Sequence, residues 1–215
     1  MTTISISMRP GWRVWLSWII ASLIGWTVGL IMGLSVTFNE GLVAVTLGAA
    51  IGISQWFVLK SRLRNAVWWI VSSAVGVLLG VLGSGILGFP IVQGVDFNLG
   101  FNIPPWRPSG IDIYELRVVS YVLGGPVAGL LIGTAVGTAQ WLVLKQRVNR
   151  AGWWIAANGL GWAVAFLFGF LLSHFTKNLF IVAITTGLVG GTITAFSLVW
   201  LLGKDNNSLP RPGQK

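Results

Sequence analysis

Between residues 12 and 202 the chain is a series of apolar runs that carry almost no charge, separated by short polar turns and one long one. A run of about 20 apolar residues crosses a hydrocarbon layer of about 30 Å as a helix, with every backbone N–H and C=O satisfied inside the segment. The runs read as helices over 12–36, 42–59, 66–89, 116–144, 151–173 and 179–202. A water-soluble fold fails on composition: 9% of the residues are charged, against about 25% in soluble domains. The expected fold class is an all-α membrane protein, one membrane domain over 1–215 with six transmembrane helices.

The punctuation between the runs supports these bounds. Arg9 and Arg13 stand at the start of the first run, but at 12–36 it is too long for the h-region of a signal peptide and reads as a retained helix. Phe38-Asn39-Glu40-Gly41 makes a tight turn. The third helix is expected to stop at Pro90, which lacks the backbone donor that a continuing helix needs. Residues 90–115 form the long external loop, with Pro90, Pro104, Pro105 and Pro108 in it. Pro126 is expected to kink the fourth helix near its outer end, and 204–215 reads as a disordered polar tail.

Charge sets the orientation. The clusters Lys60, Arg62, Arg64 and Lys145, Arg147, Arg150 lie in two turns that six crossings place on the same side as both termini. With the terminal cations they make eleven of the 14 Lys and Arg; only Arg107, Arg117 and Lys177 fall opposite. Positive loops stay in the cytoplasm, so both termini are expected there. Most of the 13 tryptophans gather near that same interface, including the pairs Trp68-Trp69 and Trp153-Trp154, where amphipathic indoles suit the headgroup zone. The net charge of +9 thus reads as topology and not as nucleic-acid binding. The absence of cysteine excludes disulfides and thiolate chemistry.

One unit occurs twice. Gly52-Ile53-Ser54-Gln55-Trp56-Phe57-Val58-Leu59-Lys60-Ser61-Arg62, then Trp68-Trp69-Ile70, returns 85 residues later as Gly137-Thr138-Ala139-Gln140-Trp141-Leu142-Val143-Leu144-Lys145-Gln146-Arg147, then Trp153-Trp154-Ile155. Weaker echoes at Arg9–Trp12 and Gly187–Thr192 extend the pattern to three pseudo-repeated helical hairpins, helices 1–2, 3–4 and 5–6. Setting Gly187–Thr192 against Gly129–Thr134 aligns Leu198 with Gln140, so the glutamine is not expected in the third hairpin. Small residues recur every four positions, as in Gly25, Gly29 and Gly33, or Ser72, Gly76 and Gly80. Helices in lipid associate by close backbone packing, and such glycine-zipper stripes predict a compact bundle.

The GxxQWxVLKxR segment followed by a tryptophan pair, over about 41–80 and 126–170, resembles a group of glycine- and tryptophan-rich multi-pass membrane proteins of cyanobacteria and Chloroflexi. The resemblance implies a bacterial plasma or thylakoid membrane. It brings no activity, cofactor or site with it.

Gln55 and Gln140 are the sharpest candidate residues, each three places after a stripe glycine and so on the packing face of its helix. Two readings stand: an interhelical hydrogen bond, or a ligand contact to a lipid headgroup or the central metal of a pigment. Asn158, near the stripe of the fifth helix, carries the same pair of readings. His174, the single histidine, lacks the companions a metal or haem site needs, so no metal is expected. The two basic turns read as anionic-lipid contacts or as topology alone, roles that are compatible. Phe97, Phe101 and Trp106 give the external loop an apolar face for the membrane surface or a partner, or it is a plain covering loop.

An intramembrane hydrolase needs a Ser–His pair, two aspartates or a metal within the bundle, and an enzyme is not expected. Ion-coupled transport uses ionisable residues in the spans, and these have essentially none. The expected function is a non-catalytic accessory or structural subunit packing against other membrane proteins, lipids or hydrophobic cofactors. The alternative is a small-solute transporter, or the substrate-binding membrane component of one. No cofactor is required by the sequence, with pigment or lipid as candidates; the expected partners are membrane lipids and a larger membrane complex.

Overall fold

The computed structural model describes residues 11–36, 39–63, 65–92, 124–148, 150–176 and 178–205. It is all-helical there: α1 (Trp12–Val36), α2 (Glu40–Leu59), α3 (Val67–Val92), α4 (Gly125–Leu144), α5 (Trp153–Phe175) and α6 (Leu179–Asp205). All six are long and apolar enough to cross a membrane, the arrangement of a multi-pass membrane protein. Arg64, the loop residues Phe97, Phe101 and Trp106, residues 116–123 and the tail beyond Asp205 lie outside the described residues.

Local chemistry explains where the helices begin and end, and where the expected bounds need correction. Asn39 caps α2 by accepting the Leu42 N–H at 3.1 Å, so the helix starts at Glu40, inside the expected tight turn. The helix α3 runs through Pro90 to Val92. Proline this close to a helix end removes a single intrahelical bond, too little to stop the last turn where sequence placed the end. Pro126 occupies the first turn of the described α4, where its missing N–H has no intrahelical partner to lose. The sixth helix continues to Asp205, past the start expected for the tail.

The helices form a closed ring. Each packs against its neighbours in sequence, and α6 packs against α1. Glycine sets the spacing at the seams. A Cβ added to Gly25 would stand 2.6 Å from the Ile51 Cα across the α1–α2 seam, and one on Gly48 would stand 2.7 Å from the Ala74 Cα across α2–α3. The same addition at Gly76 or Gly80 would come within 2.6 Å of an α4 Cα, that of Val136 or Ile132. Gly133 lies against the Asn158 carbonyl of α5, and Gly187 against the Trp26 Cβ of α1. Backbones this close gain dispersion contacts along their length, which replaces the hydrophobic drive missing in lipid.

Large apolar side chains point away from the ring, Ile20, Leu79, Leu142, Leu188 and Phe196 among them. Inside, two buried clusters stack along the axis. One joins Trp18, Leu59, Trp69, Leu144, Trp154 and Leu198 to Leu63, Val148 and Leu201 near the two basic turns. The other, nearer the middle, joins Trp26, Val77, Val136 and Trp162.

Candidate functional site: a hydrogen-bonded tryptophan layer on the bundle axis

Trp18 of α1, Trp69 of α3 and Trp154 of α5 meet on the axis, each at most 1% exposed. Their ring centroids are 5.9 Å apart for Trp18–Trp69, 5.7 Å for Trp18–Trp154 and 5.7 Å for Trp69–Trp154. Interplanar angles of 77°, 79° and 55° bring ring edges toward ring faces, the arrangement the aromatic quadrupole favours. On the side of the basic turns, Leu59, Leu144 and Leu198, all at most 1% exposed, cover the layer.

An indole N–H buried in lipid is costly without an acceptor, since water is not there to supply one. Each of the three finds it on a neighbouring helix. Trp69 Nε1 donates to Gln55 Oε1 at 3.0 Å, Trp154 Nε1 to Gln140 Oε1 at 2.9 Å, and Trp18 Nε1 to Thr194 Oγ1 at 3.0 Å. The glutamines then donate onward. Gln55 Nε2 bonds Ser22 Oγ at 3.1 Å and Gln140 Nε2 bonds Ser73 Oγ at 2.9 Å. Ser73 donates to the Trp69 carbonyl at 2.7 Å, and Asn158 Nδ2 to the Trp154 carbonyl at 3.0 Å. The bonds reach side chains of all six helices and hold the odd-numbered helices to the even-numbered ones at one depth.

Both ends of each glutamine amide are therefore engaged by protein groups. An acceptor on one side and a donor on the other fix its orientation. Gln140→Leu removes the acceptor of Trp154 and the donor of Ser73 together, leaving a buried N–H unpaired. The expected cost is about 2 kcal/mol, within the range for orphaned buried donors, read as an earlier unfolding midpoint in detergent. Combining it with Trp154→Phe, which removes the orphan, costs clearly less than the two single changes added together; full additivity in that double-mutant cycle would contradict the bond.

Two sequence expectations are corrected here. The tryptophan pairs do not share the interface: Trp68 and Trp153 are 61% and 62% exposed, whereas Trp69 and Trp154 turn inward. Adjacent helical residues point about 100° apart, so one indole of a pair faces lipid and the other the axis. The expected match of Leu198 to Gln140 is not reflected in the bonding. Thr194, not Leu198, takes the Trp18 N–H, and Leu198 joins Leu59 and Leu144 in the apolar cover. The slip is one helical turn, an ambiguity that a stripe repeating every four residues cannot resolve. Trp18 itself carried no signal beyond its place in an apolar run. For Trp69 and Trp154 one existed: each follows its glutamine by 14 residues.

Away from the axis, Lys60, Arg62, Lys145, Arg147 and Arg150 are exposed at the same end of the ring. The Lys60 ammonium lies 5.3 Å from the Trp56 ring centroid and 4.8 Å from that of Phe57, and Lys145 lies 4.5 Å from Trp141. These cations are held over aromatic faces at the edge of the apolar zone. His174 is in the last turn of α5, its ring edge-on to Phe175 at 5.3 Å. Among the described residues there is no group of three His, Cys, Asp or Glu side chains that could hold a metal ion. The class defined by these features is a multi-pass helical membrane protein with an aromatic, hydrogen-bonded axis. No family model, curated protein or solved structure matches the chain.

Proposed function

We propose that this is a non-catalytic subunit of a bacterial plasma or thylakoid membrane, working through its lipid-facing surface by packing against other membrane proteins, lipids or hydrophobic cofactors. The observation that carries this reading is the filled axis. Three indoles and three leucines occupy the place where a solute path or substrate pocket would run, and the N–H groups of those three indoles are each taken up by Gln55, Gln140 or Thr194. A transporter or substrate-binding component needs that place open.

The chain is built, on this reading, from three copies of one hairpin: α1–α2, α3–α4 and α5–α6. Trp18, Trp69 and Trp154 take one position in the copies, and Leu59, Leu144 and Leu198 take another. Thr194 then stands where the other copies have Gln55 and Gln140. The basic turns and both termini face the cytoplasm, following the excess of Lys and Arg at that end.

Purification from native membranes in mild detergent, with mass spectrometry of co-migrating proteins and an absorption spectrum, tests the function. The expected result is a defined complex or a bound chromophore. A lone, colourless protein would contradict the subunit reading and direct attention to solute-binding screens.

A further inference from the structure

The two basic turns differ in one respect that bears on lipid. Beside the second turn a shallow, largely open groove of about 350 Å³ is lined by Arg150, Gly152, Trp153 and Ala156. The matched positions of the first turn, 85 residues earlier, are Asn65, Val67, Trp68 and Val71. Two valines there, 61% and 44% exposed, stand on the helix face that Gly152 and Ala156 leave bare. The second copy has lost bulk from that face and carries a cation, Arg150, where the first has Asn65; the two turns hold equal numbers of cations, since Asn149 stands where the first has Arg64.

We propose that this groove holds one anionic phospholipid, its phosphate against the Arg150 guanidinium and its glycerol and first acyl carbons against Trp153 and Ala156. A guanidinium pairs with phosphate through charged, two-pronged hydrogen bonds. Exposed Lys145 and Arg147 on the same turn add a positive field that favours an anionic over a zwitterionic headgroup. Trp153 meets Trp200 edge-on at 6.4 Å, which fixes one wall. Leu160, one turn beyond Ala156 and 60% exposed, continues an apolar track for the chain down the face of α5. The site rests on the membrane placement proposed above and adds a particular ligand class at a particular turn.

The molecule supplies its own substitutions for a test. Arg150 has a φ of 67°, a conformation asparagine tolerates, so Arg150→Asn removes the cation without backbone conflict. A Cβ on Gly152 would meet nothing within 4 Å, so Gly152→Val with Ala156→Val fills the groove with the side chains α3 already carries. Full-length protein is reconstituted in vesicles of equal phosphatidylglycerol and phosphatidylcholine, extracted in mild detergent, and the retained lipid read by native mass spectrometry. Wild type is expected to keep one phosphatidylglycerol, favoured about fivefold over phosphatidylcholine, the effect of about one interfacial cation. Arg150→Asn and the double valine variant each abolish that preference, while Gly83→Ala, where an added Cβ would meet nothing within 4 Å, leaves it in place.

Equal retention by the groove variants and wild type would overturn the proposal, as would equal loss in Gly83→Ala. Displacement by millimolar inorganic phosphate would reassign the groove to soluble anions and also overturn it. Failure of every form to retain either lipid would also overturn it, while failure of the protein to insert into the vesicles at all would contradict the membrane placement on which the site rests.

Discussion

Trp154→Ala lowers the stability of the bundle by about 3 kcal/mol, and the loss appears as an earlier thermal midpoint in detergent with collapse of the near-ultraviolet dichroism of the indoles. Truncating a buried tryptophan costs about 3–5 kcal/mol in water-soluble cores. Part of that is transfer from water, which shrinks in a membrane because the separated helices remain in lipid. The rest survives. Trp154 touches Trp18 and Trp69 through its ring and donates to Gln140 through its N–H. Its removal breaks two ring contacts, opens a void at the axis and strands the Gln140 oxygen, which is in a residue 1% exposed. Trp154→Phe keeps most of the ring and loses the hydrogen bond, so it falls between alanine and wild type. Trp153→Ala, at the neighbouring but 62% exposed indole, costs much less. Equal effects at 153 and 154 would contradict the inward–outward division of the pair.

The second large effect is expected at a seam. In Gly76→Val the new Cβ would stand 2.6 Å from the Cα of Val136 and 3.2 Å from its nitrogen. Both are backbone atoms, so no rotamer change relieves the clash, and α3 and α4 must separate. Overpacking costs about 1–3 kcal/mol where side chains can yield; here the cost is about 3 kcal/mol or more, because the whole length of the seam loses contact. The readout is loss of a monodisperse peak in size exclusion. Gly83 of the same helix is the control, since a Cβ there would meet nothing within 4 Å. Gly83→Ala keeps or slightly raises stability through its better helix propensity. Matching damage from both changes would mean that backbone proximity does not hold α3 to α4.

How much of this was legible in the sequence depends on the length scale. Helix existence was legible, because a run of uncharged apolar residues has one low-energy form in lipid. The polar partners were legible in kind: Gln55 and Gln140 stood out as amides on small-residue faces. Their partners were not. Which of two adjacent tryptophans faces inward depends on the rotation of each helix within the ring, and an apolar stretch lacks the polar face that would reveal it. Hydrophobic residues all round a helix erase the periodic signal that normally assigns a core. The register of α6 failed for a related reason, since Gly187 and Gly191 are one turn apart and either alignment satisfies a small-residue stripe. Pro90 misled because its cost depends on how many intrahelical bonds follow it, which sequence does not state.

The groove beside Arg150 has the opposite character. Nothing at Gly152 or Ala156 stands out alone, and the difference emerges when one turn is set against its 85-residue counterpart. The 85-residue sequence match gives each turn a reference for the other, and the contrast at Gly152 and Ala156 is visible only in that comparison.

The central claim is that the axis is shut and the outer surface is the working part. The chain has no cysteine, so single cysteines report without background. Val136→Cys and Val77→Cys place a thiol on residues 2% and 1% exposed along the axis, and Ser61→Cys places one in an exposed basic turn. The decisive measurement is the rate at which a membrane-impermeant thiosulfonate modifies each in vesicles permeabilised so that the reagent reaches both faces. The account expects rapid modification at 61 and none at 77 or 136 until the protein is denatured. Rapid modification at 77 or 136 from water would mean an aqueous path through the axis, and would contradict the account in favour of solute transport.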